Sequence, residues 1–228
     1  MKIILFIAIG VLVGIIFSNP EIKKLVLIYR TPIHRIGNLP ATGQVQVFGR
    51  ADTTNTKSLL KRTNCCLWQI IIYEDQGRRR RRVKIYQQMS IEPFELVDGT
   101  GRIQVLPVNA QLILHDDLYK KTDSITSLPP RTNETIQSLG IQTTNVLGLQ
   151  RLLHVYEQIV RPGDDVFVLG EVTQENGIKV IKSTSGLPFV ISDHRDGDVI
   201  ETLFMQIVGK ILTATIFVVV FLSSIKPA

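Results

Sequence analysis

Two long, nearly uncharged stretches bracket the chain: Ile3–Phe17 holds no charged residue, and Leu203–Ile225 holds only Lys210. A helix needs roughly 20 apolar residues to cross a hydrocarbon core of about 30 Å. The C-terminal stretch reaches that length when Lys210 turns its ammonium toward the interface, which leaves Ile211–Ile225 as the apolar heart. The N-terminal stretch also fits the apolar region of a signal peptide, but Phe17-Ser18-Asn19-Pro20 lacks small residues at cleavage spacing. The sequence therefore predicts a two-pass integral membrane protein. Its parts are an N-terminal anchor (or signal peptide) in 1–20, a domain in 40–198 and a transmembrane helix in 203–225. Lys23, Lys24, Arg30 and Arg35 lie on the domain side of the first stretch and lean toward a cytoplasmic domain, with the side left unresolved.

About 180 residues remain between the ends, enough for one domain with its own core. The net charge is +6, and the block Arg78–Arg82 supplies five positive charges by itself. The chain is thus not broadly basic; it carries one local basic spot. Cys65 and Cys66 are the two cysteines, and neighbours in sequence are poorly placed to pair with each other.

The middle of the chain reads as strands. Gln44–Arg50 alternates polar and apolar residues, and Cys65–Tyr73 is a continuous apolar run rich in β-branched and aromatic residues. Glu74-Asp75-Gln76-Gly77 with Arg78, Arg79, Arg80, Arg81 and Arg82 reads as an exposed hairpin tip, returning through Val83–Met89. Asp98-Gly99-Thr100-Gly101 reads as a turn between two strands, with Val108 continuing the second arm past Pro107. Ser124–Gly148 reads as an exposed connection with a short helix near Thr135–Leu139. Leu149–Val160 fits either helix or strand. Asp165–Glu171 and Gly177–Ser183 form a further hairpin. Short strands and little helix predict a mainly β fold, a small OB-like barrel or sandwich flanked by the two transmembrane helices.

Three segments in order, Pro93–Leu112 (PFELVDGTGRIQVLPVNAQL), Val155–Val172 (VYEQIVRPGDDVFVLGEV) and Pro188–Asp193 (PFVISD), resemble the GIDE or beside-a-membrane (BAM) domain. Val47-Phe48-Gly49 and Cys65 resemble that family's opening strands. The family includes membrane-anchored RING ubiquitin ligases of mitochondrial and chloroplast outer envelopes. The resemblance implies structural roles for Cys65, Asp98, Gly99, Gly101, Pro107, Ala110, Glu157, Gly163, Gly170 and Glu171, and no catalytic residue. Two RING zinc sites need about eight Cys or His ligands. This sequence has two Cys and four His, and only Lys226-Pro227-Ala228 follows the second apolar stretch. Ubiquitin transfer by these residues alone is therefore not expected.

The other candidate sites are weak. A five-guanidinium block can grip lipid or nucleic-acid phosphates, or simply keep a strand edge from pairing. Nucleic acid is disfavoured because no aromatic residue interleaves the arginines. The cysteines lie in the most apolar strand, on opposite faces, where packing outweighs metal or redox chemistry. His34, His115, His154 and His194 have no ligand spacing, and Asp193, Asp196 and Asp198 lack the order of a calcium loop. Glu157 reads as the orderer of a turn. No nucleophile elbow, phosphate loop or dinucleotide fingerprint occurs. The expected function is a membrane-anchored, non-catalytic interaction or scaffold protein with a protein partner, possible anionic-lipid contact and no cofactor or metal. The alternatives are a component of a ubiquitin-ligase-like system whose RING is on another chain, or a tethered OB-like binder of nucleic acid or anionic lipid.

Overall fold

Strand alternation sends Val45, Val47 and Ala51 to one side of the first long strand, where they meet Phe94, Leu96, Ile103, Val105, Val166, Val168 and Ile181 from four others. The barrel they fill is described by a computed structural model. It covers residues 26–52, 56–77, 81–122, 127–184 and 186–193, with positions 205, 209 and 213. The chain divides into one compact unit, Ile33–His194, and a second formed by Met1–Pro32 with Arg195–Ala228. The first holds nearly all the described residues.

In chain order its strands are β1 (Ile33–His34), β2 (Gly43–Asp52), β3 (Thr56–Lys57), β4 (Asn64–Cys65), β5 (Leu67–Gln76), β6 (Arg81–Met89), β7 (Phe94–Asp98), β8 (Gly101–Val105), β9 (Gln111–Ile113), β10 (Leu118–Lys121), β11 (Leu153–Val160), β12 (Asp165–Glu175), β13 (Ile178–Lys182) and β14 (Val190–Ser192). One helix, α1 (Pro130–Ser138), lies between β10 and β11. Hydrogen bonds run β2–β7–β8–β13–β12 and back from β12 to β2, closing a five-stranded barrel. Only β8 and β13 pair in parallel within it.

Two insertions into this barrel build a second layer. The segment between β2 and β7 contributes β5 and β6, and the segment between β8 and β12 contributes β10 and β11. They pair in the order β10–β11–β5–β6, antiparallel throughout. The inner face of this sheet carries Ile70, Ile72, Leu153, Val155 and Ile159, packed against Leu128 and Ile136 from around α1. Pairing on both sides decides the helix-or-strand ambiguity at 149–160. β11 satisfies its backbone against β5 and β10, which a helix there could not do. The helix spans Pro130–Ser138, earlier and longer than expected, with proline in its first turn. The second arm after the glycine turn ends at Val105, and Val108 lies outside it in a turn closed by the Ala110 N–H on the Pro107 carbonyl.

The expectation of a two-pass integral membrane protein is corrected here. Among the described residues no helix is long and apolar enough to cross a membrane. α1 has nine residues and a polar sequence, PRTNETIQS, and the apolar runs of the described chain are strands that fill the two cores. The stretches on which that expectation rested, 1–20 and 203–225, lie outside the described residues apart from positions 205, 209 and 213.

Candidate functional site

The residues of the family-like motifs sit at joints of the fold. Asp98 ends β7, and its carboxylate accepts from the Ile36 N–H at 2.9 Å, the Thr100 N–H at 2.7 Å, the Thr100 hydroxyl at 2.6 Å and the Gly101 N–H at 2.9 Å. The Thr100 hydroxyl oxygen accepts in turn from the Gly37 N–H at 2.9 Å. The turn thus clasps the 3-10 turn Ile36–Asn38 onto the barrel. Gly37 has to be glycine because a Cβ there would meet the Thr100 carbonyl oxygen at 2.7 Å, closer than real contacts allow.

Burial alone would raise the Asp98 carboxyl. The bonds from the Thr100 hydroxyl and the Ile36, Thr100 and Gly101 N–H groups outweigh it and hold the group below the usual carboxylate range. A depressed folded pKa contributes stability above the unfolded value of about 3.9 and loses it as pH falls through the folded value. Asp98→Asn is therefore expected to lower stability at neutral pH by about 1 kcal/mol. Its deficit relative to wild type should shrink in acid, as read by urea unfolding at pH 7 and pH 3.

Cys65 and Cys66 are both buried and unpaired, one in each core. Desolvation pushes the Cys65 thiol up to about 11 and the Cys66 thiol up to about 12, so neither offers a thiolate at neutral pH. A thiol-specific colorimetric reagent is expected to leave both unmodified in the folded protein and to titrate both in denaturant. Among the described residues no group of three or more His, Cys, Asp and Glu could hold a metal ion. His115 and Asp193 meet instead as a pair, Nδ1 to Oδ1 at 3.1 Å, with the carboxylate also accepting from the His115 N–H.

Gly163, at φ +90°, makes the β11–β12 turn, whose Asp164 carboxylate accepts from the Arg161 N–H at 2.7 Å. Glu171 accepts from the Thr184 hydroxyl. Ala110 packs against the barrel core, and Gly99 and Gly101 flank the Asp98 turn. Glu157 is fully buried and accepts from the Leu60 N–H at 2.5 Å and the Lys61 N–H at 2.9 Å. All these groups hold the fold.

The open, outer face of the four-stranded sheet is different in kind. Successive strands bring Tyr73 (β5), Tyr156 (β11) and Tyr119 (β10) side by side. Tyr119 and Tyr156 stack with centroids 4.9 Å apart, and Tyr73 meets Tyr156 edge-on at 5.8 Å. Tyr119 is 47% exposed. Under the rings lies His154, 1% exposed, with Nε2 at 3.0 Å from Asp75 Oδ2 and Nδ1 at 2.8 Å from the Tyr119 hydroxyl. An ionised carboxylate only accepts, so Nε2 carries a proton toward Asp75, while Nδ1 and the Tyr119 hydroxyl share a hydrogen bond on the other side of the ring. The His154 hydrogen bond, above all, holds the Asp75 carboxyl below its ordinary range. Arg82 Nε lies 3.6 Å from Asp75 Oδ1, and its Nη1 donates to the Tyr156 hydroxyl at 3.4 Å. Beside them Gln87 donates to Gln69 and Gln69 to Gln158, each at 2.7 Å. Gln158 donates to the Asp116 carboxylate at 2.9 Å.

The strands around the arginine block extend further than expected. β5 runs to Gln76 and β6 starts at Arg81, so Glu74 and Asp75 are strand residues, not turn residues. Glu74 is held by Arg151 at 2.7 Å and 2.9 Å. Arg78, Arg79 and Arg80 lie outside the described residues; Arg81 and Arg82 lie in β6. The interleaving of aromatic and basic groups missing along the sequence is therefore made across strands.

Sequence reasoning also passed over the loop at 143–151. Its Asn145 carboxamide oxygen accepts from the Leu147 and Leu149 N–H groups, both at 2.9 Å, and the Asn145 N–H donates to the Leu149 carbonyl at 2.8 Å. The locked loop shows Val146, Leu147 and Leu149 to solvent, Val146 fully. An apolar cluster inside a Ser/Thr/Asn-rich connection was the available signal.

The class these features define is a two-layer β domain with a shaped, aromatic outer face. The GIDE family model, described as E3 ubiquitin ligase, matches residues 71–223, more than half of the chain. The chain belongs to the GIDE family, a family of ubiquitin-ligase-related domains. No curated protein matches it.

Proposed function

We propose that this domain is a non-catalytic protein-interaction module of a ubiquitin-ligase-related system, and that its partner docks on the outer face of the β10–β11–β5–β6 sheet. The observation that carries this reading is the row of Tyr73, Tyr156 and Tyr119, held from beneath by the buried His154 and its partner Asp75. Tyrosine offers a large contact area with few rotors to freeze, which is why it is enriched at contact surfaces and among their hot spots. A face already rigid loses less entropy on docking than a mobile one. The charged rim of Arg82, Lys84 and Lys121 would set orientation more than affinity.

The test is photo-crosslinking in cells with benzoylphenylalanine at position 119 and, as a control, at Ile178, an exposed β13 residue of the barrel. A discrete adduct at 119 that is absent at 178 is expected. No adduct at 119, or the same adducts at both sites, would contradict the reading.

A further inference from the structure

Strand β6 is nine residues long, Arg81–Met89, and forms one border of the four-stranded sheet. Among the described residues it pairs with β5 alone. Alternate backbone N–H and C=O groups of such a border strand point away from the sheet and are open to pairing. Its side chains divide by face. Arg82, Lys84 and Gln87 stand opposite Asp75, Tyr73 and Ile71 on the tyrosine side, while Val83 and Tyr86 stand opposite Glu74 and Ile72 on the side of the second core.

Its charge is one-sided. Arg81, Arg82 and Lys84 are exposed cations, and among the described residues only Arg82 has an acidic partner, Asp75. A second copy pairing through the same border would bring together two strands that carry cations and no acidic residue, so self-association gains no charge complementarity there. The register shift between Ile72 and Tyr73 further disrupts the flat template that indiscriminate pairing needs.

From this placement, and resting on the interaction-module reading above, we infer that β6 receives an extended acidic segment of a partner protein by strand addition. In this mode main-chain hydrogen bonds supply affinity and alternate side chains supply specificity. The fitting segment alternates acidic and apolar residues. Its carboxylates meet Arg82 and Lys84 on the tyrosine side, and its apolar side chains lie along Val83 and Tyr86. The added strand continues the tyrosine face, so both surfaces serve one partner.

The probe is a fluorescent eight-residue peptide of alternating Glu and Val, titrated into the full-length protein and followed by anisotropy. Saturable binding is expected, weakening with added salt and at least tenfold tighter than that of the matching Lys–Val peptide. N-methylation at alternate residues, which removes main-chain donors and leaves the peptide's charge unchanged, is expected to weaken it at least tenfold. Arg82→Glu with Lys84→Glu should do the same. Equal binding of the N-methylated peptide would show attraction by charge alone and overturn strand addition, as would no binding or equal binding of the Lys–Val peptide. A position-119 adduct that persists when the peptide fails would sink this inference and leave the interaction module standing. Loss of the adduct would count against the module itself.

Discussion

Glu157→Ala is expected to lower the unfolding free energy by about 3 kcal/mol, the largest effect of any single substitution outside the apolar cores. The Glu157 carboxylate has no exposed surface and takes the Leu60 and Lys61 N–H groups at 2.5 Å and 2.9 Å. Truncation leaves a half-buried donor at Leu60 without an acceptor, each such loss costing about 1–3 kcal/mol, and opens a cavity beside Cys65 and Ile70. The tie also spans 97 residues of chain, joining the β3–β4 excursion to β11. Glu157→Gln keeps one acceptor oxygen and should cost roughly half as much. Urea unfolding with tryptophan fluorescence reads both, since Trp68 lies in the same core. A Glu157→Ala midpoint equal to wild type would mean that water serves those N–H groups and that the carboxylate holds nothing.

Gly170→Ala is expected to cost about 1–3 kcal/mol, although a single methyl is added. A Cβ at Gly170 would meet Ile181 Cγ2 at 2.5 Å and two ring carbons of Phe189 at 2.8 Å and 2.9 Å. Phe189 is itself fixed, because its carbonyl accepts from the Gln111 N–H at 2.8 Å and the next residues form β14. The ring therefore has little freedom to retreat. Phe189→Leu shortens the obstructing side chain, so the double variant should be more stable than the sum of the two single costs predicts, a coupling expected between residues in contact. Strict additivity would mean that the ring does not crowd Gly170.

These two positions also show what could be read before the fold was known. Glycine before an acid in VLGE and a carboxylate within VYEQIV belong to local patterns, and local patterns were legible. So were the Asp98–Gly101 turn, the β12–β13 hairpin and the opposite facing of Cys65 and Cys66, because strand alternation and turn chemistry act over a few residues. Partnerships across the chain were not. Glu74 and Asp75 looked like turn residues because their partners, Arg151 and His154, stand 77 and 79 positions away. The tyrosine face was hidden for the same reason. Tyr73, Tyr119 and Tyr156 are scattered in sequence and meet only because two separate barrel insertions pair with each other. His154, with no ligand spacing around it, proved to be the group beneath the rings.

The most direct test of the account is the affinity of the crosslinked partner, once isolated, for Tyr119→Ala with Tyr156→Ala, measured by calorimetry beside a thermal unfolding scan. The account predicts at least tenfold weaker binding, about 1.4 kcal/mol, with the fold retained. An affinity equal to wild type in a folded double variant would contradict it and place the contact surface elsewhere on the domain.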